Sequence, residues 1–238
     1  MNETTSPYFG FRHPGEIISH SVWLYHRFTL SFRNVEEIMV SRGVDVTYES
    51  VRQWCLRFGQ EYANRIRAKE RREGYIWHFD EVFIKIKGKQ HYLWRAVDQD
   101  GDVLDILVQP RRNAKAAKRF FRKLLKGLCY SPRVVVTDKL RSYGAVHREL
   151  GLTAEHETGQ YRNNRAENSH EPSRQKERQM RGFKSPGHAQ RLLSAHGPIN
   201  DLFRHDRHLM SARAFRELRK RAFGSWSRVS RIVPEICR

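Results

Sequence analysis

The spacing of apolar residues changes near residue 74 of this 238-residue chain. Between residues 15 and 58, apolar side chains recur every three or four positions, which is the period of an amphipathic helix. From residue 75 to residue 109 they alternate with polar ones, and turn signals interrupt the run at residues 88–89 and 98–101. Alternation between turns is typical of β-hairpins. The sequence therefore predicts helices followed by an antiparallel three-stranded meander.

A further helix and a fourth strand follow the meander. Residues 112–128 place apolar side chains on one helical face and Lys and Arg on the other. Residues 133–138, "RVVVTD", form a β-branched run without alternation, which is typical of a central parallel strand buried on both faces. A helix that crosses over to a parallel strand produces a mixed sheet. The sequence thus predicts an α/β domain after the helical segment.

Two acidic residues lie on strands of this predicted sheet. Asp80 is within the first strand, and Asp138 ends the fourth. If these strands are parallel neighbours, the two carboxylates approach each other, and like charges at close range repel. A divalent cation between them removes that cost, and hard oxygen ligands suit Mg²⁺ or Mn²⁺. We therefore expect the fourth strand to end at a metal site.

A third acid is needed to complete such a site, and the polar, cationic stretch from residue 161 onward supplies candidates. Glu167 lies within "YRNNRAENSHE", where Asn164 and Glu167 also fit a helix capping box. Glu171 and Glu177 follow within ten residues. The spacing alone does not choose among the three glutamates.

Three helices are predicted before residue 70. Ser31 and Thr47 suit the N-caps of the second and third helices, and Gly43 suits the end of the second because glycine readily adopts a left-handed conformation. Two helices joined by a short turn are typical of a helix-turn-helix. Side chains that can read guanine and adenine edges face outward from the third helix: Arg52, Gln53 and Arg57. A plain three-helix bundle with a solvated face is the alternative.

The charge of the chain restricts its partners. Its formal net charge is +19 and its pI about 10.3, which favours a polyanion such as nucleic acid. A basic structural protein is the alternative. The three cysteines are scattered without a C-x-x-C pair, so reduced thiols in the cytosol are expected. No signal-peptide pattern and no run of 18 apolar residues occurs, so no membrane span is expected.

Five segments carry a resemblance to a known family. "WHFDEVFIKIKGKQHYLWRAVDQDGDVLDILV", "RRNAKAAKRFFRKLLK", "VVTDKLRSYG" and "YRNNRAENSH…RQMRGFKS" resemble the DDE transposases of the insertion-sequence-six family of bacterial insertion elements. The stretch from "HPGEIISHSVW" to "ESVRQWC" resembles the helix-turn-helix that precedes their catalytic domain. The resemblance covers roughly residues 8–205, and the five segments occur in the family's order.

The resemblance implies a fold class and a domain organisation. The fold is an α/β, RNase H-like (retroviral integrase-like) mixed five-stranded sheet with flanking helices, preceded by an all-α helix-turn-helix domain. We predict a helix-turn-helix DNA-binding domain over residues 1–70 and an RNase H-like catalytic domain over residues 71–184. A helical, basic C-terminal extension is predicted over residues 185–238.

The resemblance also implies the site residues. It assigns the catalytic triad to Asp80, Asp138 and Glu167, which would hold two Mg²⁺ (or Mn²⁺) ions. A basic residue seven positions beyond the glutamate, here Arg174, would share a helical face with it and lie near the DNA backbone. If a helix instead begins near Pro172, this shared-face argument does not apply. Further predicted nucleic-acid contacts are Lys139, Arg162 and Arg165.

A function follows from the resemblance. It implies a DNA transposase that catalyses metal-dependent 3′-end cleavage and strand transfer, with replicative transposition through cointegrates. The partners implied are terminal inverted repeats, target DNA and a second copy of the chain, in a homodimer or larger homo-oligomer. A bacterial cytoplasmic, nucleoid-associated location is expected. One alternative is a helix-turn-helix regulator, or an inactive relic, with a catalytically dead RNase H-like domain; another is a structure-specific nuclease without strand transfer.

Overall fold

The computed structural model describes residues 6–69, 75–128, 130–137, 149, 153–158, 166, 169–205 and 207–231. The chain divides into two compact units. The first unit combines Met1–Arg71 with Pro198–Arg238, and the second is Arg72–Gly197. Within the described ranges, no helix combines the length and the hydropathy that crossing a membrane requires.

The first unit begins with three helices, α1 (Gly15–Arg27), α2 (Phe32–Val40) and α3 (Tyr48–Lys69). The Ser31 hydroxyl accepts a hydrogen bond from the Asn34 backbone N–H at 3.1 Å. The Thr47 hydroxyl accepts one from the Ser50 backbone N–H at 3.2 Å. Gly43, in the turn between α2 and α3, has a positive φ of 78°. The predicted helices and their predicted caps are confirmed.

The end of the chain completes the core of this first unit. Its last helix, Ala212–Val229, packs against α3 and contributes Trp226, whose ring lies 5.2 Å from that of Tyr62. The Tyr8 hydroxyl donates to the Ser230 carbonyl at 2.5 Å and lies 2.6 Å from the Tyr62 hydroxyl. The C-terminal segment is helical, as expected. The contacts group it from Pro198 onward with the N-terminal helices, whereas we predicted a separate extension over residues 185–238.

The second unit is built on one five-stranded sheet. Its strands are β1 (Ile76–Ile86), β2 (Lys89–Val97), β3 (Val103–Gln109), β4 (Val134–Thr137) and β5 (Glu155–Thr158). Their spatial order is β3-β2-β1-β4-β5. The first three strands pair antiparallel, whereas β4 is parallel to β1 and β5 is parallel to β4. This arrangement confirms the predicted RNase H-like mixed sheet.

Both meander turns are tight. Lys87 and Gly88 have positive φ values of 49° and 77°, as the two central residues of a type I′ hairpin require. The turn therefore lies one residue earlier than residues 88–89, where we predicted it. In the second turn, Asp98 Oδ1 accepts hydrogen bonds of 2.9 Å from the backbone N–H groups of Asp100 and Asp102.

Three helices accompany the sheet of the second unit: α4 (Ala114–Leu128), α5 (Glu171–Gln179) and α6 (Pro186–Asp201), of which α6 belongs to this unit as far as Gly197. The buried core is formed between α4 and one face of the sheet, where the Phe121 ring stacks on Phe79 at 4.3 Å. Successive side chains of a strand point to opposite faces. Asp80 therefore lies on the face away from Phe79 and α4.

Candidate active site

The described part of the site is centred on Asp80 in β1. Asp80 pairs across the antiparallel β1–β2 ladder with Arg95. Its side chain is 13% exposed, and its Oδ2 lies 3.2 Å from Nε2 of His170. A carboxylate on a central strand is thus accessible to a small ligand, with a cationic and an imidazole side chain beside it.

The strand next to β1 has the direction that a metal site shared by Asp80 and Asp138 requires. β4 is parallel to β1, with the pairs Ile76↔Val134, Trp77↔Val135 and His78↔Val136. The first and fourth strands are thus parallel neighbours, which is the condition on which the expected metal site depends. β4 ends at Thr137, and the residue that follows in the sequence, Asp138, lies outside the described residues.

Arg95 connects β2 to the segment that precedes α5. It is 2% exposed. Its Nη1 donates to the carbonyl oxygen of Ser169, and its Nη2 donates to the hydroxyl of Ser173 at 2.5 Å. The Ser169 hydroxyl in turn donates to the Ala166 carbonyl at 2.6 Å. One buried guanidinium therefore holds residues that flank position 167 in the sequence.

His170 is the N-cap residue of α5 and is 2% exposed. Its pKa is lowered to about 4, mainly by burial and also by the positive charge of Arg95, while the Asp80 carboxylate acts in the opposite direction. The imidazole is therefore neutral at neutral pH. It contacts Asp80 without adding a positive charge that would compete with a metal ion for the carboxylate.

The two rival glutamates and Arg174 lie on α5. Glu171 is exposed, and its Oε1 accepts from Gln175 at 3.0 Å and from Arg178 at 3.2 Å. Glu177 is partly buried, which raises its pKa. Arg174 is exposed.

The start of α5 affects the prediction for Arg174. The helix begins at Glu171, with Pro172 in its first turn. The shared-face argument required one helix to carry positions 167 and 174, and α5 carries only the second. That argument therefore does not apply. The helix start agrees with the position of Pro172, since a proline fits the first turn of a helix better than its interior. Arg174 stays a predicted DNA contact on the strength of the resemblance.

The three predicted base-reading residues are exposed on α3: Arg52, Gln53 and Arg57. Glu49 organises the first two of them, because its carboxylate accepts hydrogen bonds of 2.8 and 2.6 Å from Arg52 and one of 3.2 Å from Gln53. The hydrogen bond from Arg52 is the main reason why the pKa of Glu49 falls to about 2. The Glu49 carboxylate thus orders part of the polar face of α3.

Comparisons with known proteins place the chain in a family. A family model described as a DDE domain matches residues 74–206, which is more than half of the chain. The transposase for insertion sequence-like element IS431mec of Staphylococcus aureus (strain Mu50) is 36% identical over 164 residues, which make up 65% of this chain and 71% of that protein. The chain belongs to the insertion-sequence-six family of DDE transposases.

Other similarities are of two kinds. The transposase for insertion sequence element IS257 in transposon Tn4003, also from Staphylococcus aureus, is 35% identical over 65% of this chain and 71% of that protein. Among solved structures, the Mos1 transposase catalytic domain with Raltegravir and Mg matches at 14% identity and a TM-score of 0.36, over 73% of this chain and 96% of that chain. A structural similarity of this size supports no inference.

Several predicted site residues of this DDE transposase are not described by the structure. They are Asp138, Lys139, Arg162, Arg165 and Glu167. Within the described ranges, no group of three or more His, Cys, Asp or Glu side chains is arranged to hold a metal ion. Asp80 fits such a role by its chemistry, because it offers a hard, accessible oxygen ligand beside a neutral histidine.

Sequence reasoning missed Arg95 and His170 in the DDE transposase. A signal for Arg95 was present, since it is the one charged residue of the otherwise apolar run "YLWRAV". His170 lies three residues after Glu167, which is nearly one helical turn. Neither signal is specific without the strand register that brings Arg95 opposite Asp80.

Proposed function

We propose that this protein is a DNA transposase that cleaves the 3′ ends of a bacterial insertion element and joins them to target DNA. The observation that supports it most strongly is Asp80 on β1, beside a parallel β4 that leads in the sequence into Asp138. This arrangement occurs inside the segment matched by the DDE domain, residues 74–206.

The catalytic roles fall to three carboxylates. We assign the ligand set to Asp80, Asp138 and Glu167. A pair of Mg²⁺ or Mn²⁺ ions bound there would activate a water molecule and stabilise the charge on the entering and leaving oxygen atoms. Asp80 would offer its carboxylate in a fixed orientation, since His170 and Arg95 lie beside it on the same face of the sheet.

The reaction has two steps of the same kind. In the first, a water oxygen bonds to the phosphorus at the element's end, the bond from phosphorus to the 3′ oxygen breaks, and the proton lost by water is balanced by the one the 3′ oxygen gains. In the second, that 3′-hydroxyl loses its proton and attacks a phosphodiester of the target, whose own 3′ oxygen leaves. Each phosphodiester lost at strand transfer is replaced by another, so no nucleotide hydrolysis is required.

DNA is held by surfaces of both units in this proposal. Arg52, Gln53 and Arg57 on α3 would read bases in a major groove of the terminal inverted repeat. The predicted phosphate contacts are Lys139, Arg162, Arg165 and Arg174. We further propose a homodimer or larger homo-oligomer, replicative transposition through cointegrates, and a bacterial cytoplasmic location at the nucleoid, where the target DNA lies.

The test is a strand-transfer assay with the full chain, Mg²⁺, a duplex from one end of the element and a target plasmid. Wild-type protein should release 3′-hydroxyl ends and join them to the plasmid. Asp80→Asn, Asp138→Asn and Glu167→Gln should each abolish both products while DNA binding survives. Glu171→Gln, the same change at an exposed rival glutamate, is the matched control and should stay active.

The alternatives give different results in this assay. A DNA-binding regulator with a dead catalytic domain would bind the duplex and yield neither product, and Asp138→Asn would change nothing. A structure-specific nuclease would cut the duplex and never join an end to the plasmid. Loss of activity in Glu171→Gln with retention in Glu167→Gln would contradict the assignment of the third acid.

A further inference from the structure

A single buried side chain joins the parts of the candidate site. Arg95 is 2% exposed, and burying a guanidinium is costly unless hydrogen bonds satisfy it. It donates to the Ser169 carbonyl through Nη1 and to the Ser173 hydroxyl through Nη2. Ser169 precedes α5 and Ser173 lies within it. Arg95 thereby fixes the start of α5 to strand β2.

The contacts continue to the residue before Glu167. The Ser169 hydroxyl donates to the carbonyl oxygen of Ala166 at 2.6 Å, and Ala166 is fully buried. Ala166 and Ser169 lie on either side of position 167 in the sequence. The backbone that flanks the predicted third acid is therefore held by hydrogen bonds that lead back to Arg95.

The same set of contacts reaches the first acid. Arg95 is the cross-strand partner of Asp80, and paired residues of neighbouring strands direct their side chains to the same face. His170, adjacent to Ser169, places Nε2 3.2 Å from Asp80 Oδ2. Because the His170 side chain is 2% exposed, its surroundings restrict the ring. Residues next to both acids are thus linked across three elements of the fold.

We propose that Arg95 and His170 are positioning residues that hold the segment carrying Glu167 against the strand carrying Asp80 before DNA or metal binds. This inference rests on the proposed function, because it gives Glu167 a catalytic role. Replacing residues that orient metal-binding side chains commonly lowers metal affinity or activity about 10- to 100-fold. A purely structural role would instead lower the unfolding temperature and leave the metal affinity of the folded protein unchanged.

The experiment compares Arg95→Lys, His170→Gln and Ser173→Ala in the full chain. Mn²⁺ binding is measured by calorimetry, and the Mg²⁺ concentration for half-maximal strand transfer is measured in the assay described above. We expect Arg95→Lys and His170→Gln to weaken Mn²⁺ binding about 10-fold or more. Ser173→Ala, which removes one acceptor of Arg95, should have a smaller effect. Excess metal should restore part of the strand transfer in all three variants.

A matched control is available on α6. Ser194 is a buried serine that accepts a hydrogen bond from Gln190, and Gln190 in turn accepts one from the Val108 backbone N–H on β3. Ser194→Ala should leave the Mn²⁺ affinity unchanged. Since Arg95 and Ser173 share one contact, combining Arg95→Lys with Ser173→Ala should cost less than the sum of the two single changes.

Two outcomes are distinguishable. Wild-type Mn²⁺ affinity in folded His170→Gln and Ser173→Ala would overturn the positioning role, and the serine variant decides the matter for Arg95 if Arg95→Lys does not fold. Failure of the proposed function looks different: Asp80→Asn would bind Mn²⁺ as tightly as wild type, or the wild type would join no DNA ends.

Discussion

The buried side chain of Asp98 makes the stability of this protein depend on pH. Asp98 closes the β2–β3 turn, where its carboxylate accepts two backbone hydrogen bonds. Burial is the main cause that raises its pKa from 3.8 to about 6. Because the folded-state pKa is higher than the unfolded one, the folded protein binds this proton more tightly. The stability gained from protonated Asp98 is present below pH 4 and is lost as the pH rises to about 6.

Replacing Asp98 with Asn tests this assignment. The amide oxygen can still accept the two backbone hydrogen bonds, and the side chain cannot ionise. We expect Asp98→Asn to have a higher unfolding temperature than wild type at pH 7.5 and a smaller advantage at pH 4.5. Thermal unfolding at both pH values measures this. Asp100→Asn, an exposed acid of the same turn, is the control, and an equal advantage of Asp98→Asn at both pH values would contradict the argument.

The polar face of α3 has two interpretations: it reads DNA bases, or it is only solvated. Changing Arg52, Gln53 and Arg57 together to Ala should bring binding of the element's end down to the level of unrelated DNA, because each lost base contact costs about 1–3 kcal/mol. Competition binding with specific and random duplexes measures the ratio. The matched control changes three exposed cations of α4: Lys115, Arg122 and Lys126.

The outcome of the control separates the two interpretations. If the α4 control lowers affinity for both duplexes equally, its cations contribute only general charge. If the α3 variant keeps the wild-type preference for the element's end, α3 does not read sequence. In that case the first three helices are a plain bundle whose polar face is solvated.

Elements with a strong periodic pattern could be predicted from sequence. These elements are the three N-terminal helices, the meander and α4, together with the caps at Ser31 and Thr47. Strand β5 was not located, because "EHET" contains no apolar residue and it is a strand through its pairing with β4. Arg95 was not predicted as a site residue, because only the β1–β2 register brings it opposite Asp80.

In the first unit, segments that are far apart in the sequence pack into one core. Trp226 packs on Tyr62, and the Tyr8 hydroxyl bonds to Ser230 at the other end of the chain. Local patterns carry no information about such contacts, so no sequence pattern indicated that residues from Pro198 onward group with the N-terminal helices. By contrast, the approach of β1 and β4 could be inferred, since a crossover helix between them restricts the possible topologies.

In the proposed mechanism, three acids that are far apart in the sequence bind metal together. Fe²⁺ can replace Mg²⁺ at oxygen ligands, and with ascorbate and peroxide it cuts the backbone next to the site where it is bound. We expect cuts near residues 80, 138 and 167 that excess Mg²⁺ suppresses together and that Asp80→Asn abolishes. Cuts near residue 80 accompanied by cuts near Glu171 or Glu177, with none near residue 167, would contradict the mechanism.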